Sequence, residues 1–338
     1  MSAPVSNMLA HKHLTPDVVR ALHGVQTATN FGLADAVLSG FMNLDSGVGA
    51  YAGDPESYVK LAPFFDPVIA DYHKLELGKI QHVTDFDVSK IPTEAVDPTG
   101  EFVVSTRIRV GRNLKDVPFA PRITKEQRLK VMHDVAAVLA TLEGDLKGTF
   151  YPLEGMDETT RKQLVEDHFL FKQGDRFLDA AGANRDWPSG RGIFHTADKK
   201  FLVWVNEEDQ LRIISMEKGG DVRAVFDRLS RAVKAIEAKL PFATHPQYGA
   251  LTSCPTNLGT AMRASVHVKV PKLAASGKLK DLAAVFSLSV RGVDGEHSES
   301  KGGVYDLSNK RRLGLSEAQA TLDMYQGVRA LIAVEKTL

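Results

Sequence analysis

Residues 102–110, FVVSTRIRV, are the stretch that decides how this chain folds. Phe102, Val104, Thr106, Ile108 and Val110 alternate with Val103, Ser105, Arg107 and Arg109, and a period of two is the mark of a β-strand. The alternation predicts Val104, Ile108 and Val110 on one face and Ser105, Arg107 and Arg109 on the other. Further on, Arg263, Ser265, His267 and Lys269 alternate in the same way with Ala264, Val266, Val268 and Val270. Arg212 and Arg291 lie in or at the end of two more apolar stretches, Leu211–Met216 and Leu288–Arg291. If these strands share a sheet, one face packs under helices and the other gathers guanidinium groups. Clustered arginines repel one another unless an anion sits between them, and their planar forks match phosphate oxygens. Pattern alone leaves two readings: a solvated face whose arginines pair with local acids, or a phosphate site.

The elements around this stretch give the fold class. Thr15-Pro16 offers an N-cap with proline at the first helical position, and residues 32–41 read as a second short helix. Residues 45–53, DSGVGAYAG, form a glycine-rich loop. Residues 76–100, with Pro92, Pro98 and Gly100 and no sustained period, read as a linker. Thr124 and Gln127 make a capping box ahead of an apolar stripe Leu129, Met132, Val135, Val138 and Leu142. Phe201–Val205 and Leu211–Met216 read as strands joined by the acidic turn Glu207-Glu208-Asp209. Asp221–Leu240 is amphipathic, and a last helix runs from Ser316 to about Glu335. The expectation is an α+β protein: a small all-helical domain over residues 1–75, a linker over 76–100, and a larger domain over 101–338 with a mainly antiparallel sheet flanked by helices.

Composition excludes several classes. The 338 residues carry 42 Lys+Arg against 42 Asp+Glu, so no bulk charge draws the chain to nucleic acid or an anionic membrane. The single cysteine, Cys254, rules out an intrachain disulfide, which suits a reducing compartment. Neither a signal-peptide core nor an apolar run of about 20 residues is present, so the expectation is a cytoplasmic protein.

Familiar nucleotide and metal motifs are missing. Ser276-Gly277-Lys278-Leu279 lacks the upstream glycine and the hydroxyl of a P-loop, and Gly47, Gly49 and Gly53 do not follow a strand into a helix. No paired-cysteine or H-E-x-x-H spacing appears, so no protein-bound metal is expected. Cys254-Pro255-Thr256-Asn257-Leu258-Gly259-Thr260 is a turn just before the Arg263 strand; a lone cysteine is usually a small buried apolar residue. Glu207, Glu208 and Glu296 taken singly are ordinary solvated acids, His168 an ordinary packed histidine and Trp204 an ordinary core residue.

Taken together these segments resemble the phosphagen (ATP:guanido) kinases. The Cys254–Thr260 turn is similar to the family's signature. Ser105–Arg109, Asp167–Phe171, Trp187–Gly192, Asn206–Asp209, Leu211–Met216, Arg263–His267 and Gly302–Asp306 are similar to family segments in family order. Within the family the arginine kinases are nearest, on the substrate loop Ser46–Tyr51 and on Gly295–Glu299, where creatine kinases carry an apolar residue in place of Glu296.

The resemblance implies reversible transfer of the γ-phosphoryl of MgATP to the guanidino group of L-arginine by a monomer, with Mg²⁺ carried by the nucleotide. It implies that Glu208 and Glu296 hold the acceptor guanidinium, that Cys254 touches it, and that Thr256 lowers the pKa of that thiol. Gly47, Val48, Gly49 and Tyr51, with Ser46, would hold the amino-acid end. Ser105, Arg107, Arg109, His168, Arg212, Arg263, Ser265, His267, Arg291 and Asp306 would bind the nucleotide, Asp306 from a loop. Asp45 and Arg176 would link the domains. Val293 and Asp294 stand where threonine and arginine are frequent, and Ala50 is smaller than the frequent isoleucine, which suggests room for bulkier acceptors. The alternatives are a kinase for taurocyamine, lombricine or creatine, a protein-arginine kinase, and a non-catalytic anion binder.

Overall fold

The computed structural model describes residues 7–166, 169–171, 173–292 and 302–338. Its strands run β1 (Val103–Arg112), β2 (Gly148–Pro152), β3 (Gly192–Thr196), β4 (Phe201–Val205), β5 (Leu211–Lys218), β6 (Thr244–His245), β7 (Gly249–Ala250), β8 (Met262–Lys269), β9 (Leu288–Arg291) and β10 (Val304–Asn309). Among the described residues β6 and β7 form a small ladder, and the other strands make one eight-stranded sheet in the order β2-β3-β4-β5-β1-β8-β10-β9. Every pairing in it is antiparallel. The expected α+β class with an antiparallel sheet is what the chain adopts, and the decisive strand β1 lies inside the sheet between β5 and β8.

One detail of β1 departs from the alternation. Val103 is buried at 6% exposure while Val104 is 51% exposed, the reverse of the expected facing. The cause is a register shift against β8 between Val103 and Ser105, a bulge that inserts one residue and flips the facing before it. Beyond the bulge the pattern holds: Ile108 and Val110 are fully buried.

The apolar face is covered by three helices. Val222–Glu237 lies on β5 and β1, Glu317–Thr337 on β8 and β10, and Lys125–Leu139 on β2 and β3. Val222–Glu237 starts where the Asp221 carboxylate accepts from Ala224 N at 2.9 Å. It buries Val222, Val225, Phe226, Leu229, Val233 and Ile236 at helical spacing. Each such side chain stabilises by about 1.5–3 kcal/mol. Lys125–Leu139 has the expected Thr124–Gln127 capping box, but it buries Arg128, Val131, Val135 and Leu139 rather than the Leu129–Met132–Val138 stripe. The turn of the helix is set by Arg128, drawn inward to donate to Arg185 O at 3.0 Å and to Asp186 at 2.8 Å.

The first part of the chain is helical: Leu9–His13, Pro16–Ala21, Leu33–Met42, Ser57–Lys60 and Ala62–His73. Phe31, Tyr58, Leu61, Phe64, Phe65, Val68 and Ile69 form its core, and Tyr248, Leu251, Leu258 and Leu313 from the far part of the chain join the same cluster. The helical part therefore shares one core with the loops around β7 and after β10. Between the two parts, Phe86, Ile91 and Val96 pack into the main core, so the linker-like stretch is tied down. Among the described residues no helix is long and apolar enough to cross a membrane.

Candidate active site

The sheet's second face is where the charge gathers. Across β1 and β8, Arg109 stands opposite Arg263, Arg107 opposite Ser265, and Ser105 opposite His267. Across β1 and β5, Gly111 stands opposite Arg212. Opposed residues in an antiparallel pair share a face, so four guanidinium groups converge. Trp204, opposite Arg212 on β4, forms the floor: Arg107 and Arg212 lie 5.7 and 5.6 Å from its ring centre. Its Nε1 donates to Phe169 O at 2.7 Å, which fixes the ring.

Two of the four arginines are paired. Arg263 donates to Asp306 at 2.8 Å and to Ser308 Oγ at 3.2 Å. Arg212 donates to Glu208 at 2.8 Å and lies 3.0 Å from Glu207. Arg107 differs: among the described residues its Nε is buried without a hydrogen-bond partner. Burial, then the charges of Arg212 and Arg263, pulls Arg107 down to about 10. Burial and the same crowding, with Arg107 added, hold Arg109 well below its usual range. Arg312, which enters from the loop after β10, is also lowered by burial. Arg109, Arg212, Arg263 and Arg312, with Asp209 and Asn257, line a cavity of about 20 Å³. Crowded cations with a donor to spare around a small void are what an anion site requires, and a face whose arginines all pair with local acids is not what these residues form.

Facing this cluster is an acidic and thiol-bearing wall. Burial pushes the Glu208 carboxyl up to about 7, with Asp209 and Glu207 adding to the rise and Arg212 opposing it. Asp209 is raised by burial too, and its carboxylate accepts from Asn113 at 2.7 Å and Ser253 N at 2.9 Å. Asn257 Nδ2 donates to Glu208 at 3.4 Å, which ties the acid to the Pro255–Asn257 turn. Cys254 Sγ lies 3.1 Å from Thr256 Oγ1. That contact does favour the thiolate, yet burial and the Glu208 charge outweigh it and push the thiol up to about 12. Thr256 thus acts in the expected direction, while the net shift of the thiol is upward. A cation seated between Glu208 and Cys254 would reverse the sign.

The glycine-rich loop closes the third side. Ala52 N donates to Ser253 O at 2.7 Å, which places Tyr51 beside the cysteine turn. Burial, then the charges of Cys254 and Glu208, pushes the Tyr51 phenol far above its usual range, so it stays an O–H donor. Ser46 Oγ accepts from Gly49 N at 2.9 Å, and Leu9 N and Ala10 N take the carbonyls of Gly47 and Val48 at 3.0 and 2.9 Å. The backbone groups left for a ligand are thus the N–H groups of Gly47 and Val48, donors suited to a carboxylate. Gly49, at φ +70°, could not carry a side chain without strain, and its Cβ would strike Met8. Ala50 points into the helical core at 1% exposure, so its small size adds no room for an acceptor. Asp45 and Arg176 do pair, joining the loop to the helix Arg176–Ala180.

Of the remaining expected residues, Ser105 Oγ and His267 Nδ1 lie 3.2 Å apart, and Ser265 Oγ donates to Arg107 O at 3.3 Å. Arg291 and Asp306 face each other across β9 and β10; Asp306 lies on a strand, not in a loop, because β10 continues the sheet past the arginine face. His168 and Glu296, with Val293 and Asp294, fall outside the described residues. Trp204, Asp209 and Arg312 were missed as site residues. The strand alternation that exposes Arg212 also exposes Trp204, its β4 partner, whereas Arg312 sits in a loop with no period to betray it. Among the described residues no group of three or more His, Cys, Asp or Glu is placed to hold a metal ion.

Comparison with known proteins agrees with this geometry. Residues 4–70 match the family model of the ATP:guanido phosphotransferase N-terminal domain, and residues 130–338 match that of the C-terminal catalytic domain. The arginine kinase of Limulus polyphemus is 53% identical over 339 residues, covering 97% of this chain and 92% of that protein. The arginine kinase of Anthopleura japonica is 54% identical over 334 residues, and this chain spans only 46% of its length. Among solved structures, the duplicated taurocyamine kinase of Schistosoma mansoni with transition-state-analogue components matches with a TM-score of 0.94 at 44% identity, covering all of this chain and 47% of that one. A lombricine kinase matches with a TM-score of 0.94 at 36% identity, covering 100% of this chain and 94% of that one.

Proposed function

Since the chain belongs to the ATP:guanido phosphotransferase family, we propose that it is an arginine kinase, moving the γ-phosphoryl of MgATP reversibly to the guanidino group of L-arginine. The observation that carries the reading is the pairing of opposites in one site: crowded guanidiniums at Arg107 and Arg109 on one wall, with Arg107 Nε lacking a partner among the described residues, and Glu208 with Cys254 on the other. One wall suits a triphosphate and the other a guanidinium.

On this assignment Arg107, Arg109, Arg212 and Arg263 grip the phosphates, while Ser105 and His267, with His168, Ser265, Arg291 and Asp306, complete the nucleotide side. Glu208 and Glu296 hold the acceptor guanidinium beside Cys254. The N–H groups of Gly47 and Val48, with Tyr51 and Ser46, hold its carboxylate end. Mg²⁺ is assigned to the nucleotide phosphates, where it supplies further charge neutralisation. In the transfer a bond forms between the guanidino nitrogen and the γ-phosphorus, and the bond from that phosphorus to the β–γ bridging oxygen breaks in line. The nitrogen's proton passes to a carboxylate, and Glu208, at about 7, is poised to accept it near neutral pH. Holding both reactants in line removes about 7–11 kcal/mol of barrier in favourable systems, and fixed guanidiniums need no reorganisation as charge develops. We also propose a boundary near residues 76–100, a monomer and a cytoplasmic setting.

The test is ADP release from MgATP with a panel of L-arginine, taurocyamine, lombricine and creatine. Arginine is expected to turn over fastest, with Arg212→Ala and Glu208→Gln severely slowed. Faster turnover of any other acceptor, or full activity in either variant, would overturn the reading.

A further inference from the structure

The turn that carries Cys254 has its backbone claimed from two sides. On the sheet side, Arg312 donates to Thr256 O at 3.2 Å, and Asp209 accepts from Ser253 N at 2.9 Å. From the helical part come three donors: Tyr58 to Thr252 O at 2.8 Å, Ala52 N to Ser253 O at 2.7 Å, and His73 Nε2 to Pro255 O at 2.9 Å. His73 is the last residue of Ala62–His73, so its ring reaches from the end of that helix to the Pro255–Asn257 turn. A carbonyl oxygen only accepts, so the hydrogen must sit on Nε2. Burial, with the Arg312 charge adding to it and the bond to Pro255 opposing it, pulls His73 down to about 4, and the ring stays neutral around pH 7. Tyr72 packs edge-on at 5.0 Å and limits the swing of the ring.

We propose that His73 is a positioning residue for Cys254, its bond to Pro255 setting the turn so that Sγ keeps its 3.1 Å contact with Thr256 Oγ1 beside Glu208. Without that bond Pro255 O keeps only the long contact from Leu258 N at 3.4 Å, and the far end of the turn is held from the sheet side, by Arg312 and by the long bond of Asn257 to Glu208 at 3.4 Å. The turn then pivots, and the thiol loses the hydroxyl that favours its ionised form. A residue of the helical part thereby controls the reactivity of a thiol on the sheet part. The inference rests on the proposed function only in seating an acceptor at Cys254.

The experiment compares His73→Leu and His73→Gln in the full chain. Cys254 is the only cysteine, so the pH dependence of iodoacetamide alkylation reports its state without any substrate. In the leucine variant the alkylation profile is expected to move to higher pH, and kcat/KM for arginine to fall about tenfold, as for one lost buried hydrogen bond. Affinity for MgADP is expected to be unchanged. The glutamine variant, whose amide N–H reaches nearly as far, is expected to restore both properties. His73→Met, of similar length but lacking the donor, replaces the leucine variant if that does not fold. An unmoved alkylation profile in the leucine or methionine variant, or a glutamine variant as impaired as either, would overturn the proposal. If the parent protein phosphorylates no guanidino acceptor, the functional reading fails while the alkylation comparison still decides the role of His73.

Discussion

Replacing Arg107 by methionine should make the ligand-free protein more stable and the enzyme nearly inactive. Arg107 sits at about 10, whereas a guanidinium in water titrates at roughly 12.5 or above. That gap corresponds to about 3 kcal/mol against the charged form in the folded state. The sign follows from the depressed value. The group is charged in both folded and unfolded chains throughout the neutral range, so the cost is present at pH 7 and is relieved only as pH rises through about 10. Methionine keeps much of the stem's packing and removes the charge, but it gives up the contact with Trp204, worth about 0.5–2 kcal/mol. The net gain is about 1–2 kcal/mol, or a rise in Tm of about 1.5–3 °C for a protein of this size. Turnover should fall by a factor of about 100–1,000, as when one preorganised donor to a developing charge is removed. Thermal unfolding with and without MgADP, at pH 7.5, measures both halves. A variant that melts below its parent would refute the claim that the crowded guanidinium costs stability. An undiminished rise on adding MgADP would refute its assignment to phosphate.

In the free enzyme Glu208 titrates near 7, so kcat/KM for arginine should decline as pH falls through that value and the carboxylate is lost; a pH–rate profile checks this, and Glu208→Gln should be flat as well as slow. Asp45 and Arg176 are 64% and 58% exposed, so Asp45→Ala should change unfolding free energy by less than about 1 kcal/mol in a denaturant titration, whatever it does to loop closure. Because Ala50 lies in the helical core, Ala50→Val should cost about 1–3 kcal/mol by overpacking and leave the ranking of acceptors in the ADP-release panel unchanged.

What the sequence revealed and what it hid divide along physical lines. Period-two alternation reports facing within a strand, so it put Arg107 and Arg109 on one face of their strand and Arg263 on one face of its own; that these faces coincide and take in Arg212 follows from the pairing of the strands. It fails where the backbone gains a residue, as at Val103 and Val104, because a bulge has no side-chain signature of its own. The helix Lys125–Leu139 shows a different limit: its rotation follows Arg128, a charged residue that periodicity counts as outward. Likeness to a family named Cys254 and Thr256 but not the state of the thiol, since that depends on how far burial and Glu208 outweigh one hydrogen bond. Arg312 and Asp209 stayed hidden because their roles arise from contacts 55 and 44 residues away in the chain, Arg312 with Asn257 and Asp209 with Ser253, which no local period reports.

In the ligand-free site the two walls partly neutralise each other, and this shapes how the substrates can arrive. Arg212, assigned to phosphate, is held at 2.8 Å by Glu208, assigned to the guanidinium. A nucleotide that draws the Arg212 fork onto its phosphates takes away the main charge that holds the Glu208 carboxyl down, so the acid then tends to pick up a proton. An arginine guanidinium arriving at Glu208 restores the compensating cation and keeps the carboxylate ionised. Each substrate therefore improves the site of the other, and by linkage the gain is equal in both directions. The same exchange guards the nucleotide. On the proposed assignment, MgATP alone would favour the protonated carboxyl, a poor base toward water, and the guanidinium that should be phosphorylated would restore the carboxylate on arrival.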